Sequence, residues 1–391
     1  MGYKLTVINP SDYARGGHIA TPWQPIEKAT GIPSDNLRVL HEGIPLPAQV
    51  DRIDPSDPCL DTLAFVLDKK LASGLSDYSW SSEHVSLESG EPQTGSPPST
   101  DSREQPVRIE LANSKLLLSL SLTPSQAPED AACFAGAVQS FRILGDAARR
   151  VGLDEVEMLD AWQSISRGLF DHDPEKRCMQ VDRLFIPNAS WSARLAEEVK
   201  LYKLPYQLLS SCTGPVRQSR TLVSEPFDYA CPDPFLKRDV TMSCRFYRSM
   251  ILYHDADYVM EELWLKGKTP QHEEEFDLGF SANYFAQMEM ERKPEIHWRD
   301  YVPDWFAIGY PFGFVRPGYG FATDVHSRQP RWPSPEYPLT GRAYRTFSWE
   351  LHPCRKARCV HLFQINDPEP IEHRIGHAWY EEIYKPLRAR I

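Results

Sequence analysis

The sequence has 391 residues, of which 41% are hydrophobic, so it is long enough to bury one large core or several smaller ones. Its 54 acidic and 43 basic residues give a net charge of −11, and no long run of lysine or arginine is present. Nucleic-acid-binding surfaces need clustered positive charge, so we expect no nucleic acid as a partner. No stretch approaches the roughly 20 apolar residues of a membrane span, so we expect no membrane partner either.

The first residues, MGYKLTVINP, lead directly into an alternating pattern without the apolar core of a signal peptide. We therefore expect a cytoplasmic protein, or a secreted one if a signal segment has been removed. In a reducing compartment the eight cysteines stay as thiols. A disulfide between Cys354 and Cys359 is the alternative.

Alternating apolar segments predict a small β domain over residues 1–80: KLTVINP, LRVLHEGIPLPAQVDRID and DTLAFVLDKK. Residues 81–106 contain almost no large apolar side chains and predict a linker or mobile loop, because such a composition cannot offset the entropy of ordering. Residues 107–391 then form the main domain, in which strand patterns dominate.

The least strand-like part of the main domain is residues 128–203. Two segments there have helical spacing, with Asp154 and Ser190 as N-caps. After Tyr206, strand patterns return, as in VRQSRTLVSE and DYVMEELWLKG. The predicted fold is therefore mainly β, a large antiparallel β-sandwich preceded by a small β domain, with a few helices in the 128–203 region.

Several segments resemble a known family: IELANSKLLLSLSL, TGPVRQSRTLVS, FYRSMILYHDADYVMEELWL and GYGFATDVH. They are similar to the galactose-mutarotase-like supersandwich of class II α-mannosidases, and the first 80 residues resemble the small β domain of those enzymes. Supersandwich polysaccharide lyases, including exo-acting rhamnogalacturonan lyase-like proteins, have a similar layout. The mannosidases carry their nucleophile on a separate N-terminal catalytic domain. The resemblance therefore implies that an active site of this chain lies on the sandwich itself, as in the lyases.

The segment YGFATDVHSR carries polar side chains on one face of a predicted strand. The two-residue period of a strand places Asp324, His326 and Arg328 together. In TFSWELHP the same period places Glu350 and His352 on a polar face. If the two strands are neighbours, these side chains converge in a group suited to acid–base chemistry. The alternative is two ordinary solvated sheet faces.

The run DHDPEKRCMQVDR, residues 171–183, is the densest set of ionisable residues. Arg177 and Gln180 are suited to binding a carboxylate, and His172 to acting as a base. The alternative is an exposed, charged loop, because most charge runs are simply solvated.

The strand DYVMEELWLKG places Tyr258, Glu262 and Trp264 on one face. The two rings are suited to stacking on a sugar, with Glu262 binding its hydroxyl groups, although a packing face is the alternative.

The segment HWRDYVPDW supplies further aromatic platforms for a sugar, namely Trp298, Tyr301 and Trp305. By contrast, His361 lies among apolar residues and is expected to be a hydrogen-bonded core histidine.

These residues and the resemblance predict an enzyme that cleaves a glycosidic bond in a uronate-containing poly- or oligosaccharide, as a lyase by β-elimination. That reaction needs a cation for the uronate carboxylate, a base and an acid. The candidates for these roles are, in order, Arg177 or Arg328, His326 or His172, and Tyr301 or Tyr258. Because an arginine neutralises the carboxylate, no metal or other cofactor is required.

Two other functions stay open. A glycoside hydrolase on the same fold would use two carboxylates from Glu262, Asp304, Asp324 and Glu350. A non-catalytic carbohydrate-binding or assembly module would instead use the tryptophans 264, 298 and 305. The sequence also leaves open whether the chain forms homo-oligomers.

Overall fold

The computed structural model describes residues 3–55, 57–72, 82–89, 108–122, 138–158, 180–185, 204–233, 238–268, 276–278, 281–290, 295–298, 305–309, 317–323, 341–348 and 356–390. In these ranges the chain is mainly β, with antiparallel sheets and few helices, which confirms the predicted fold class. The finer assignment to a galactose-mutarotase-like supersandwich stays a prediction. No helix in the same ranges is long and apolar enough to cross a membrane.

Two sheets pack face to face in the N-terminal part. The first contains, in spatial order, β25 (Arg388–Arg390), β1 (Tyr3–Ile8), β7 (Ser82–Ser89), β3 (Leu37–His41) and β4 (Ile44–Leu46). The second contains β2 (Arg15–Pro22), β6 (Thr62–Leu71) and β5 (Ala48–Asp51), and helix α1 (Trp23–Thr30) follows β2. Alternate residues of these strands, such as Val7, Phe65 and Val85, form one buried core between the sheets. The strands predicted between residues 3 and 80 are therefore confirmed.

Strand β7 corrects the prediction that a linker begins at residue 81. It lies inside its sheet, paired with β1 on one side and β3 on the other. Its composition is polar, yet Val85 and Leu87 alternate with polar residues and are fully buried. Two apolar side chains suffice here because they pack with apolar residues of the strands on both sides, β1 and β3. The residues from 90 to 107 lie outside the described part of the chain.

The largest sheet among the described residues has ten strands. Its main order is β13 (Tyr206–Thr213), β14 (Arg217–Ser224), β16 (Arg238–Tyr253), β17 (Tyr258–Lys268), β24 (Ala357–Ile365), β22 (Pro317–Thr323), β21 (Trp305–Gly309) and β20 (Glu295–Trp298). Strand β15 (Phe227–Asp233) pairs with β16, and β18 (Phe276–Leu278) pairs with β17. A separate sheet contains β12 (Gln180–Phe185), β19 (Ser281–Met290) and β23 (Gly341–Ser348). We call the ten-stranded sheet the large sheet.

The large sheet packs against the β2–β6–β5 sheet and a C-terminal helix, α3 (Ile371–Ala378). Ala64 and Val66 from β6 meet apolar residues of β16, β17 and β24, such as Met260 and Val360. The helix packs closely over β22, where a Cβ added to Gly320 would lie 2.6 Å from Cβ of Ile375. The β2–β6–β5 sheet therefore forms a middle layer between the first sheet and the large sheet.

A four-stranded sheet adjoins the other face of the large sheet. It contains β11 (Glu155–Glu157), β10 (Val138–Leu144), β9 (Leu116–Ser121) and β8 (Arg108–Ala112), and a short helix α2 (Gly145–Arg149) follows β10. Phe141 meets Phe363 of β24 at a ring-centroid distance of 4.5 Å. The prediction of a helix starting at Asp154 is wrong for residues 155–157, which pair with β10 instead. The other predicted N-cap, Ser190, lies outside the described residues.

Candidate functional site

Most of the predicted site residues cannot be placed. His172, Arg177, Tyr301, Asp324, His326, Arg328, Glu350 and His352 lie outside the described residues, as does Asp304 from the proposed carboxylate pair. Gln180 begins β12, Trp298 ends β20 and Trp305 begins β21, with only their backbones described. Tyr258, Glu262 and Trp264 are described in full, and all three lie on β17. The site is therefore built outward from β17.

A row of polar side chains crosses four strands of the large sheet. Glu262 of β17 pairs with Ser249 of β16 on one side and with Arg358 of β24 on the other. Thr221 of β14 pairs with Ser249, and its hydroxyl donates a hydrogen bond of 3.1 Å to the Ser249 hydroxyl. Paired residues in neighbouring strands project to the same face, so we call these four residues the polar row.

Glu262 is the negative centre of the polar row. Its carboxylate oxygens lie 3.1 Å from the Lys356 ammonium and 3.7 Å from Nε of Arg358, and its side chain is 14% exposed. Burial opposes ionisation, but the charges of Lys356, Arg358 and Arg217 outweigh it and lower the pKa of Glu262 to about 2. The group is therefore a carboxylate at neutral pH, and it accepts hydrogen bonds rather than donating a proton.

Trp264 lies beside this cluster, but protein groups cover its ring. The indole stacks on Tyr247 at a centroid distance of 5.2 Å, and the Lys356 ammonium lies 4.6 Å from the indole centroid. The residue is 3% exposed. The structure therefore shows the packing face that was the alternative to sugar stacking. The indole Nε1 is buried and has no hydrogen-bond acceptor among the described residues.

Tyr258 is the first residue of β17, and it contacts the C-terminal segment. Its hydroxyl donates a hydrogen bond of 2.6 Å to Glu382, in the π-helical turn Trp379–Tyr384 that continues α3. Burial, followed by the charge of Glu382, raises the pKa of Tyr258 far above its ordinary value. Four residues of strand separate Tyr258 from Glu262, which corresponds to about 13 Å. The two side chains therefore do not act on one bond, and Tyr258 attaches the helix to the sheet.

The chain segment around β5 contacts the same face of the large sheet through two ion pairs. Asp51 accepts a hydrogen bond of 2.7 Å from Nε of Arg217, and both side chains are almost fully buried. Farther along the segment, Asp57 forms an ion pair with Lys266 of β17. Arg217 is also close enough to lower the pKa of Glu262. The polar row therefore lies beside the contact between the N-terminal part and the large sheet, a location where ligand sites often occur.

Three strands reach the same end of the large sheet next to the polar row. Thr323, the last residue of β22, pairs with Cys359, which directly follows Arg358. Trp305, the first residue of β21, pairs with Ala322. In the sequence, Asp324 comes directly after Thr323 and Tyr301 lies four positions before Trp305. In the sequence, the strand ends next to the polar row are therefore followed or preceded by the segments that carry two of the four predicted catalytic residues, His326 and Tyr301.

Sequence reasoning missed Lys356 and Arg358. Both precede Cys359, where the apolar strand pattern begins, so they were left out of the predicted strand. Lys356, Arg358, Val360 and Leu362 follow one another at every second position. This two-residue period was the available signal that they share a face. Their pairing with Glu262 depends on which strands are neighbours, which no local pattern contains.

The remaining predictions about this strand concern His361 and the cysteines. His361 is fully buried on the opposite face, where its Nε2 lies 2.9 Å from a carboxylate oxygen of Glu261, so the prediction of a core histidine is confirmed. Cys359 is a buried thiol that is in no disulfide among the described residues, and Cys354 lies outside them. Within the described ranges, no three His, Cys, Asp or Glu side chains are grouped as a metal site would require.

No protein-family model matches the chain, and no curated protein matches its sequence. Two solved structures from Enterococcus faecalis are similar to it. One is a protein in glycosyl hydrolase family 38, with 9% identity and a TM-score of 0.46 over 100% of this chain and 47% of that chain. The other is an alpha-mannosidase from strain V583, with 10% identity and a TM-score of 0.46 over 100% of this chain and 46% of that chain. The chain thus spans about half the length of both proteins, and a likeness this distant carries no argument about activity.

Proposed function

We propose that the protein binds a uronate-containing poly- or oligosaccharide at the Glu262–Arg358 end of the polar row, with Lys356 and Arg358 receiving the uronate carboxylate. The observation that supports this is the position of two cations: the Lys356 ammonium lies 3.1 Å and Nε of Arg358 lies 3.7 Å from the carboxylate oxygens of Glu262, at a partly exposed position. These two cations attract the carboxylate of a ligand. Hydroxyl groups of the sugar then donate hydrogen bonds to the Glu262 carboxylate.

The finer proposal is cleavage by β-elimination. A cation on the uronate carboxylate acidifies the proton on the adjacent ring carbon, C5. A base removes that proton, the C–O bond at C4 breaks, and the leaving oxygen takes up a proton, so that the product carries a C4=C5 double bond. In this scheme Lys356 and Arg358 take over the neutralising role first given to Arg177 or Arg328. His326 as base and Tyr301 as acid remain part of the proposal, on the basis of their positions in the sequence beside this end of the sheet.

Glu262, the one candidate carboxylate of a hydrolase that is described, does not suit the role of the acid. A glycoside hydrolase needs one carboxylic acid that stays protonated at working pH. Among the described residues, every carboxyl group whose pKa is clearly displaced has it lowered, namely Asp57, Asp146, Asp255, Glu261, Glu262 and Asp367. A non-catalytic binding module, in contrast, needs only the cations and the hydrogen-bonding groups. It is the second candidate function.

The experiment that tests the proposal combines binding and turnover. The protein is incubated with uronate-containing polysaccharides and matched neutral ones, while calorimetry reports binding and ultraviolet absorbance reports unsaturated uronate. Total sugar products are analysed in parallel. Rising absorbance establishes elimination, products without absorbance establish hydrolysis, and binding without products establishes the module. Equal binding of neutral and uronate-containing chains, or no binding at all, would refute the proposal.

Two variants locate the binding site. Lys356→Met keeps most of the side chain but removes the charge, and we expect about 10- to 100-fold weaker binding, typical of losing one charge-assisted hydrogen bond. Lys268→Met, at the exposed end of β17, the strand that carries Glu262, is the matched control and should bind as the unaltered protein does. Equal effects of both changes would place the ligand elsewhere.

A further inference from the structure

A second candidate site lies away from the polar row. A cleft of about 440 Å³ opens where the four-stranded sheet meets the large sheet, between the start of β9, helix α2, the turn before β17 and the end of β24. This volume falls in the range of pockets that hold small molecules, roughly 300–1,000 Å³. None of its lining residues belongs to the polar row.

The floor of the cleft contains a fixed arginine. Arg374 of α3 donates a hydrogen bond of 3.2 Å to Gln364, forms an ion pair with Asp257, and lies 3.3 Å from a carboxylate oxygen of Asp367. Its side chain is only 12% exposed. Arg150 approaches the same Asp367 carboxylate at 2.7 Å. These contacts hold the guanidinium groups in place before a ligand arrives, so little entropy is lost on binding.

The rim of the cleft is held more weakly. Arg149 is 64% exposed, and its partner Asp146, three residues earlier in α2, is 90% exposed. Exposed pairs of this kind contribute little to stability, so Arg149 can turn toward a ligand at small cost. Lys115, another exposed cation of the rim, bonds to the backbone oxygen of Asp255.

The charge of the lining is positive although the protein is acidic. Four cations, Lys115, Arg149, Arg150 and Arg374, face three carboxylates, Asp146, Asp257 and Asp367, whereas the whole chain carries −11. Apolar side chains also line the cleft, of which Leu144 and Ala147 are partly exposed, whereas Leu116, Ile143 and Phe363 are buried. The cleft thus combines a positive polar rim with an apolar surface.

We propose that this cleft binds a single sugar residue carrying one anionic group. A pyranose presents hydroxyl groups on its edges and C–H groups on its faces, which matches the polar and apolar parts of the lining. Its anionic group balances the positive excess, with Arg149 as the side chain that moves to meet it. The anion is supplied either by the carboxylate of a uronate or by the phosphate of a sugar phosphate. This site does not depend on the function proposed for the polar row.

Calorimetric titration of the full chain with galacturonate, glucose 6-phosphate and galactose tests the proposal. We expect at least one anionic sugar to bind, galactose to bind at least about tenfold more weakly, and added salt to weaken the anionic sugar. The stronger of the two anionic ligands identifies the source of the charge. Binding of galactose equal to the anionic sugars, or no binding of any of the three at millimolar concentration, would overturn the proposal.

Arg149→Ala locates the ligand, since removing one charged contact should weaken it about tenfold or more. Arg142→Ala is the matched control, because Arg142 lies on the neighbouring β10, is 35% exposed and pairs with Glu155 outside the cleft. An equal loss in both variants contradicts the assignment. Lys356→Met should leave monosaccharide binding here unchanged while weakening polysaccharide binding at the polar row, so the two proposals fail separately.

Discussion

Replacing Glu262 with glutamine removes the negative centre of the polar row while keeping its shape. In the folded protein the Glu262 carboxylate lies between Lys356 and Arg358. Because the cluster is partly buried, repulsion between the two cations is costly when the carboxylate is removed. The substitution therefore removes the carboxylate that lies between the two cations, and it no longer offsets their mutual repulsion. We expect Glu262→Gln to destabilise the protein at neutral pH.

The size of the effect follows from the pKa of Glu262. The folded state lowers it from 4.5 to about 2. At 1.36 kcal/mol per pKa unit, this difference corresponds to about 3 kcal/mol of stability at pH 7. Because the folded pKa lies below the unfolded one, the contribution is complete above about pH 4.5 and is lost as the pH falls toward 2. The gap in stability between the two proteins should therefore shrink by more than half at about pH 3.

Urea unfolding of both proteins at pH 7 and pH 3 measures this gap, and carbon NMR of the Glu262 carboxyl group measures its pKa directly. Glu155→Gln is the control, because Glu155 is 52% exposed in its pair with Arg142 and should change the free energy of unfolding by less than about 1 kcal/mol. If Glu262→Gln unfolds with the same free energy as the original protein at pH 7, or if its deficit is independent of pH, the electrostatic account of the polar row is wrong.

Two further predictions concern the packing around β24. Burial lowers the pKa of His361 despite the opposing charge of Glu261, so the unfolded state binds its proton first and stability should fall as the pH drops below about 6.5. In His361→Asn this slope of unfolding free energy should be shallower between about pH 7 and 5, and identical slopes would exclude the histidine as its source. Gly320→Ala should cost about 1–3 kcal/mol in urea unfolding, because the added Cβ would lie 2.6 Å from Cβ of Ile375; an unchanged midpoint would show that α3 shifts freely.

The strands were predictable wherever apolar residues alternate over a long segment, as in β16 and β17. The failures have local causes. In β7 only two buried side chains stand in a polar stretch, and at Asp154 a helical spacing of apolar residues coincided with a strand that pairs to β10. Helix α3 was missed because its buried residues, Ile371, Ile375 and Ala378, are few, and the contact of this apolar stripe with β22 is not apparent from the sequence.

The candidate site was predictable only in part. The two-residue period placed Glu262 and Trp264 on one face, but it did not show that Tyr247 and Lys356 cover the indole. Those contacts depend on strand pairing between segments that are distant in sequence. Residue type and period together identify which side chains share a face, whereas the register between strands decides which charges meet.

Strand β25 pairs residues 388–390 with β1, and buried Leu387 joins the core of the N-terminal sheets. During synthesis on the ribosome, β1 emerges hundreds of residues before β25, the strand that covers its outer edge. Until then that edge offers unpaired backbone groups to any neighbouring chain, which is a known route to aggregation. The N-terminal sheet is therefore completed long after its strand β1 is made, and its assembly includes the slow step of closing a very long loop.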